Sequence, residues 1–117
     1  MTTEQVANRL VSLCREGKFE DAQVELYADH AISIEPAGGP IASVDSLKGV
    51  IENGRNFRAG IERVHQLNVS NPIIAGPVFA VTFELDAEFK GAGRPIFQEI
   101  CAFKVDNGKI VSCVYLY

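Results

Sequence analysis

Helical spacing of apolar residues in the first third and two-residue alternation in the second half predict an α+β fold. A short Asn-Gly turn near the end supports it. The expected arrangement packs about three N-terminal helices on one face of an antiparallel sheet. At 117 residues the chain makes one domain, 1–117. Its composition, 47% hydrophobic and 22% charged, is that of an ordinary globular protein.

Thr2 and Gln5 have capping-box spacing, and Val6, Leu10, Leu13 and Cys14 then form one apolar stripe, so a helix starts there. Gly17 is its stop signal. Phe19, Ala22 and Leu26 predict a second helix over 19–28. Ile32 and Ile34 alternate with Ser33 and Glu35 in a short strand, 30–36, ended by Pro36. Ala37-Gly38-Gly39-Pro40 is a loop. Ser43 is placed to cap a third helix that buries Leu47, Val50 and Ile51, with Asn53-Gly54 weakening its second half.

The rest reads as strands. In 64–70, His65, Leu67 and Val69 share a face. In 78–89, Phe79, Val81, Phe83, Leu85 and Phe89 oppose Thr82, Glu84, Asp86 and Glu88. In 96–105, Phe97, Glu99, Cys101, Phe103 and Val105 lie together, and Asp106-Asn107-Gly108 turns the chain. In 109–117, Val111, Cys113, Tyr115 and Tyr117 oppose Ile110, Val114 and Leu116. Together with Ile96 and Ile100, that opposing set predicts an apolar outer sheet face and a homodimer through it.

Several functions are disfavoured. The formal charge is −4 and the basic residues are scattered, so no nucleic-acid partner is expected. No apolar run is long enough for a membrane span. The start lacks signal-peptide character, which predicts a cytoplasmic protein. Cys14, Cys101 and Cys113 include no C-x-x-C pair and read as small core residues. Two histidines without ligand spacing predict no metal site, and no cofactor is expected. Gly91-x-Gly93 is not a dinucleotide fingerprint, because the third glycine and the following helix are missing.

The segments Arg15-Glu16-Gly17, Leu26-Tyr27-Ala28-Asp29-His30-Ala31-Ile32-Ser33-Ile34-Glu35-Pro36 and Val105-Asp106-Asn107-Gly108-Lys109-Ile110-Val111 resemble the SnoaL-like, nuclear-transport-factor-2-like superfamily in order and spacing. The resemblance implies a curved antiparallel sheet wrapped around about three N-terminal helices, a cystatin-like cone with a pocket that takes a small apolar organic ligand. It does not choose among isomerases, cyclases, dehydratases and non-catalytic binding or assembly modules. By resemblance to ketosteroid isomerase, Glu35 before Pro36 occupies the general-base position. Leu10 and Cys101 stand where that enzyme has its oxyanion donors, so its steroid chemistry is not expected.

Glu99 is notable without any resemblance, since a carboxylate among Phe97, Cys101 and Phe103 must line a wet cavity or find a cation. Arg94 and Lys109 are the structural alternatives for that cation. His65 lies on the Leu67 and Val69 face, where a hydrogen-bonded core role competes with acid–base work. The expected catalytic set is therefore Glu35, His65 and Glu99 in one cavity, lined by Phe83, Phe97, Cys101, Cys113, Tyr115 and Tyr117. The alternative for this site is a binding or assembly module whose polar residues sit in closed pairs.

Overall fold

The computed structural model describes residues 1–117. Three helices, α1 (Thr3–Arg15), α2 (Phe19–Leu26) and α3 (Leu47–Ala59), accompany six strands. The strands are β1 (Tyr27–Ile34), β2 (Ile61–Val69), β3 (Ile73–Ala75), β4 (Val78–Phe89), β5 (Ile96–Asp106) and β6 (Lys109–Leu116). They form one curved, unclosed sheet in the order β1-β6-β5-β4-β2, with β3 paired to β4. The fold is α+β. The sheet is mixed rather than antiparallel, because β1 runs parallel to β6. Ser33 and its partner Cys113 are about 80 positions apart, ample room for the crossover that parallel pairing requires.

Local chemistry explains most boundaries. Thr2 and Gln5 complete the capping box at 3.1 and 2.9 Å and start α1. Gly17 follows α1 with φ +76°, a left-handed conformation that costs glycine little. Helix α2 ends at Leu26, two residues short of expectation, because Tyr27 already extends into β1 and is buried there. Ser46, not Ser43, caps α3 through the Gly49 N–H at 3.1 Å. Asn53-Gly54 lies inside α3 without breaking it, and β3 is an unpredicted strand of three residues.

Val6, Ala7, Leu10, Val11 and Cys14 of α1 pack against the inner sheet face, which supplies Phe79, Val81, Cys101, Phe103 and Cys113. The Phe79 and Phe103 rings stack with centroids 4.7 Å apart. Two register shifts correct the expected faces. The ladder pairs Lys104 with Ser112 but Val105 with Ile110, so Ile110 turns into the core and is fully buried. It is not part of the outer face. A second shift, between Val64 and Gln66, removes His65 from the Leu67 and Val69 face. No helix is long and apolar enough to cross a membrane.

Helix α3 approaches the segment after β1 through Gly49. A Cβ on Gly49 would lie 2.8 Å from the Val44 Cβ, whereas one on Gly54 would meet only the mobile end of Arg58. Gly49→Ala is therefore expected to destabilise the fold by about 1–3 kcal/mol through overpacking. Gly54→Ala is expected to stabilise it by roughly 0.5–1 kcal/mol through helix propensity. Urea unfolding of both variants checks the pair.

Candidate functional site

Strand β6 lies between β1 and β5, and the site is built at its end. Ser33 pairs beside Cys113 and Ile34 beside Val114, so continuing the parallel register places Glu35 beside Tyr115. Cys101 pairs with Tyr115 and Ile100 with Leu116, so continuing that ladder places Glu99 opposite Tyr117. Glu35 and Glu99 therefore flank the tyrosines of β6 from either side, on the inner face. Phe83 pairs with Glu99 and Leu85 with Phe97, which puts those apolar residues on the same face. Phe97 is 37% exposed and packs edge-on against Phe57 of α3 and Phe89.

The backbone at Glu35 is fixed from the loop side. Ser33 and Val44 exchange two backbone hydrogen bonds of 2.9 and 3.0 Å. The Glu35 N–H donates to Ser43 Oγ at 2.8 Å, and Asn53 Nδ2 of α3 donates to the Ala42 carbonyl at 2.9 Å. Ser43 thus anchors the candidate base instead of capping a helix.

The Tyr117 hydroxyl donates to Glu35 Oε2 at 2.9 Å. The Cys101 thiol donates to Glu99 Oε1 at 3.4 Å. Burial raises both carboxyls above the usual carboxylate range, and each donor offsets part of the rise. The Glu35 charge pushes Glu99 up further, so the two acids sense each other. Burial, the Glu35 hydrogen bond and both carboxylate charges hold the Tyr117 hydroxyl up at about 12. No lysine, arginine or histidine is hydrogen-bonded or ion-paired to either acid. Arg94 instead binds Asp86 at 2.8 Å, and Lys109 donates to the Glu25 carbonyl at 2.7 Å.

His65 does not join this pair. Its Nε2 lies 3.2 Å from Glu88 Oε2 without hydrogen-bond alignment. Glu88 and Asp86 belong to the opposite face of β4 from Phe83 and Ala87, so His65 sits across the sheet from Glu99. The expectation of one three-residue cluster is corrected to a pair. Cys101 and Cys113 are fully buried in the core, behind the site and not on an open wall. Burial pushes the Cys14 thiol to about 12 and Cys101 higher still, so both are inert as nucleophiles. Burial likewise raises Tyr115 well above its ordinary value.

Two open depressions are present. One of about 410 Å³ is lined by Phe83 and Glu99 together with Thr82, Glu84, Gln98, Ile100 and Leu116, so it reaches one acid of the pair, and one of about 510 Å³ lies between α3 and Asp29. Neither is lined by Glu35 or Tyr117. The carboxyl pair faces the end of the sheet where Phe97 and Tyr117 are exposed.

The pair carries a stability signature. A carboxyl whose folded value lies above its unfolded one takes up protons on folding. Its contribution is present at low pH and is lost as pH rises through the folded value. Glu99→Gln is therefore expected to melt higher than the wild type at neutral pH. The difference should vanish below the unfolded glutamate value of about 4.3. Thermal melts from pH 3 to 8 check this, and a variant less stable at neutral pH would contradict it.

Comparison with known proteins agrees with this architecture. A SnoaL-like domain model matches residues 1–117. A Mesorhizobium loti protein provisionally assigned as a SnoaL-like polyketide cyclase superposes with a TM-score of 0.92 at 27% identity, covering 100% of both chains. A nuclear-transport-factor-2-like protein from Burkholderia thailandensis gives 0.84 at 17% identity, covering 99% of this chain and 90% of its own. A protein of ketosteroid isomerase-like fold from Catenulispora acidiphila, solved with trimethylamine, gives 0.69 at 17%, covering 84% and 73%. No curated protein sequence matches significantly. With a model match over its whole length and the sheet and helices just described, the chain belongs to the SnoaL-like domain family.

Proposed function

We propose that this protein binds a small, mostly apolar organic molecule and moves a proton on it without a cofactor, in an isomerisation, cyclisation or dehydration. The observation that carries the reading is the convergence of Glu35 and Glu99 on Tyr117 with no cation bonded to either. Unneutralised acids on an apolar face are costly to keep, which favours a functional role. Glu35 acts as the general base and Glu99 as the partner acid. Their upward shifts bring carboxyl chemistry closer to neutral pH. Two acids without a basic residue also disfavour anionic substrates, so the ligand is neutral or cationic with one or two polar groups. The assignment of the Mesorhizobium loti relative supports cyclase-type chemistry.

A non-catalytic binding or assembly module is the second reading. It is favoured by the two open depressions, which lie away from Glu35. Screening apolar ketones and lactones, with aromatic acids as the expected non-binders, by native mass spectrometry and thermal shift separates the readings. Glu35→Gln is expected to keep the fold and lose turnover or specific binding by at least about 100-fold, the scale of a lost acid–base group. A ligand bound equally well by Glu35→Gln supports the module.

The reading includes a cytoplasmic homodimer. Ile96, Ile100 and Leu116 are 63, 48 and 56% exposed on neighbouring outer-face positions, an apolar patch that a second copy would cover. Ile100→Glu is expected to halve the mass measured by light scattering at micromolar concentration. A wild-type chain already monomeric there would refute the dimer.

A further inference from the structure

The two carboxyls have different donors and different depths. Glu35 follows β1 at the exposed end of the sheet and receives a phenol O–H at 2.9 Å. Glu99 lies deeper within the ladder, between Phe97 and the fully buried Cys101, and receives a thiol S–H at 3.4 Å. A phenol is the stronger donor, and a hydrogen bond to an ionised oxygen is about twice as strong as one between neutral groups. A thiol donates weakly. The same proton is therefore easier to remove from Glu35 than from Glu99.

We infer that Tyr117 is a positioning residue: its hydroxyl keeps Glu35 ionised and aimed, so that of the two acids Glu99 is the one that keeps its proton longer as pH rises. The assignment rests on the proton-transfer reading of this site and deepens it, because it fixes which acid begins the cycle as base and which as proton donor. The groups facing the pair are compatible with it. Tyr117 keeps its own proton at neutral pH, and Cys101 is held as a thiol by burial. The remaining ionisable neighbours on this face, Tyr115 and Cys113, lie deeper along β6. No positive charge competes to ionise Glu99. Unequal environments that push two carboxyls apart are the usual way for such a pair to divide acid and base roles. Tyr117 is 51% exposed, so its ring can be changed without opening the core.

The test is a side-chain carboxyl NMR titration of protein carrying ¹³C-labelled glutamate, with no substrate present. Glu35→Gln and Glu99→Gln assign the two resonances. In the wild type Glu35 is expected to titrate below Glu99. In Tyr117→Phe, Glu35 should move up by about one pH unit, a tenfold gain in proton affinity, while the fold is retained. Replacing Tyr117 with 3-fluorotyrosine, a stronger donor, should move Glu35 down. A merely structural tyrosine would leave the Glu35 titration in place. The inference is overturned if Glu35 titrates above Glu99 in the wild type, or if neither replacement shifts it. These readings need no turnover, so failure to find any substrate would remove the enzymatic reading without touching this result.

Discussion

The site exists because β6 is inserted between β1 and β5. That single topological fact joins the end of β1 at Ile34 to the middle of β5 at Glu99 across one strand's width. Neither carboxyl is near the other in sequence. Parallel pairing on one side and antiparallel pairing on the other carry both to the tyrosines of β6. Because side chains alternate strictly, each pairing also decides the face, and a one-residue slip in either would send an acid to the outer surface.

Holding acids on that face opposes folding. The inner side of β4 and β5 is otherwise apolar, from Phe79 and Val81 to Cys101 and Phe103. The fold tolerates Glu35 and Glu99 by placing them at the open end, where water still reaches them, and by giving each one donor. The closed end of the same face is filled by α1 and the stacked Phe79 and Phe103 rings. Stability is concentrated at one end of the sheet and the ionisable chemistry at the other.

Much of this architecture is legible in the sequence, and the errors share one cause. The alternation in 78–89 coincides with β4, and the Asn107-Gly108 turn joins β5 to β6 as its composition requires, with Asn107 at φ +50° and Gly108 at φ +73°. Glu99 is conspicuous because a carboxylate breaks an apolar stripe. Alternation alone puts His65 and Ile110 on the wrong faces, because a strand with a register shift has the same composition as one without. The shifts depend on partner strands that periodicity does not see. The parallel pairing of β1 is equally silent locally. Alternation makes Tyr117 a pocket-wall residue, and nothing in the order of residues reveals that its hydroxyl reaches a carboxylate 82 positions away. Ser43 has the spacing of a helix cap, but Ser46 fills that role while Ser43 holds the Glu35 backbone.

The outer face shows what an ordinary carboxylate looks like in this fold. Glu84, Asp86 and Glu88 line up along β4, and each has a partner. Asn68 and Gln98 amides bind Glu84 at 3.1 and 2.8 Å, Arg94 binds Asp86, and His65 lies against Glu88. The arginine holds Asp86 below its usual range. Such pairs contribute little net stability. Glu35 and Glu99 differ in sign and setting: less solvated, without a cation, and raised instead of lowered. The same residue type is thus a partnered surface group on one side of the sheet and a carboxyl raised by burial on the other. The difference is made by the face on which the ladder places it and by whether an arginine can follow it there.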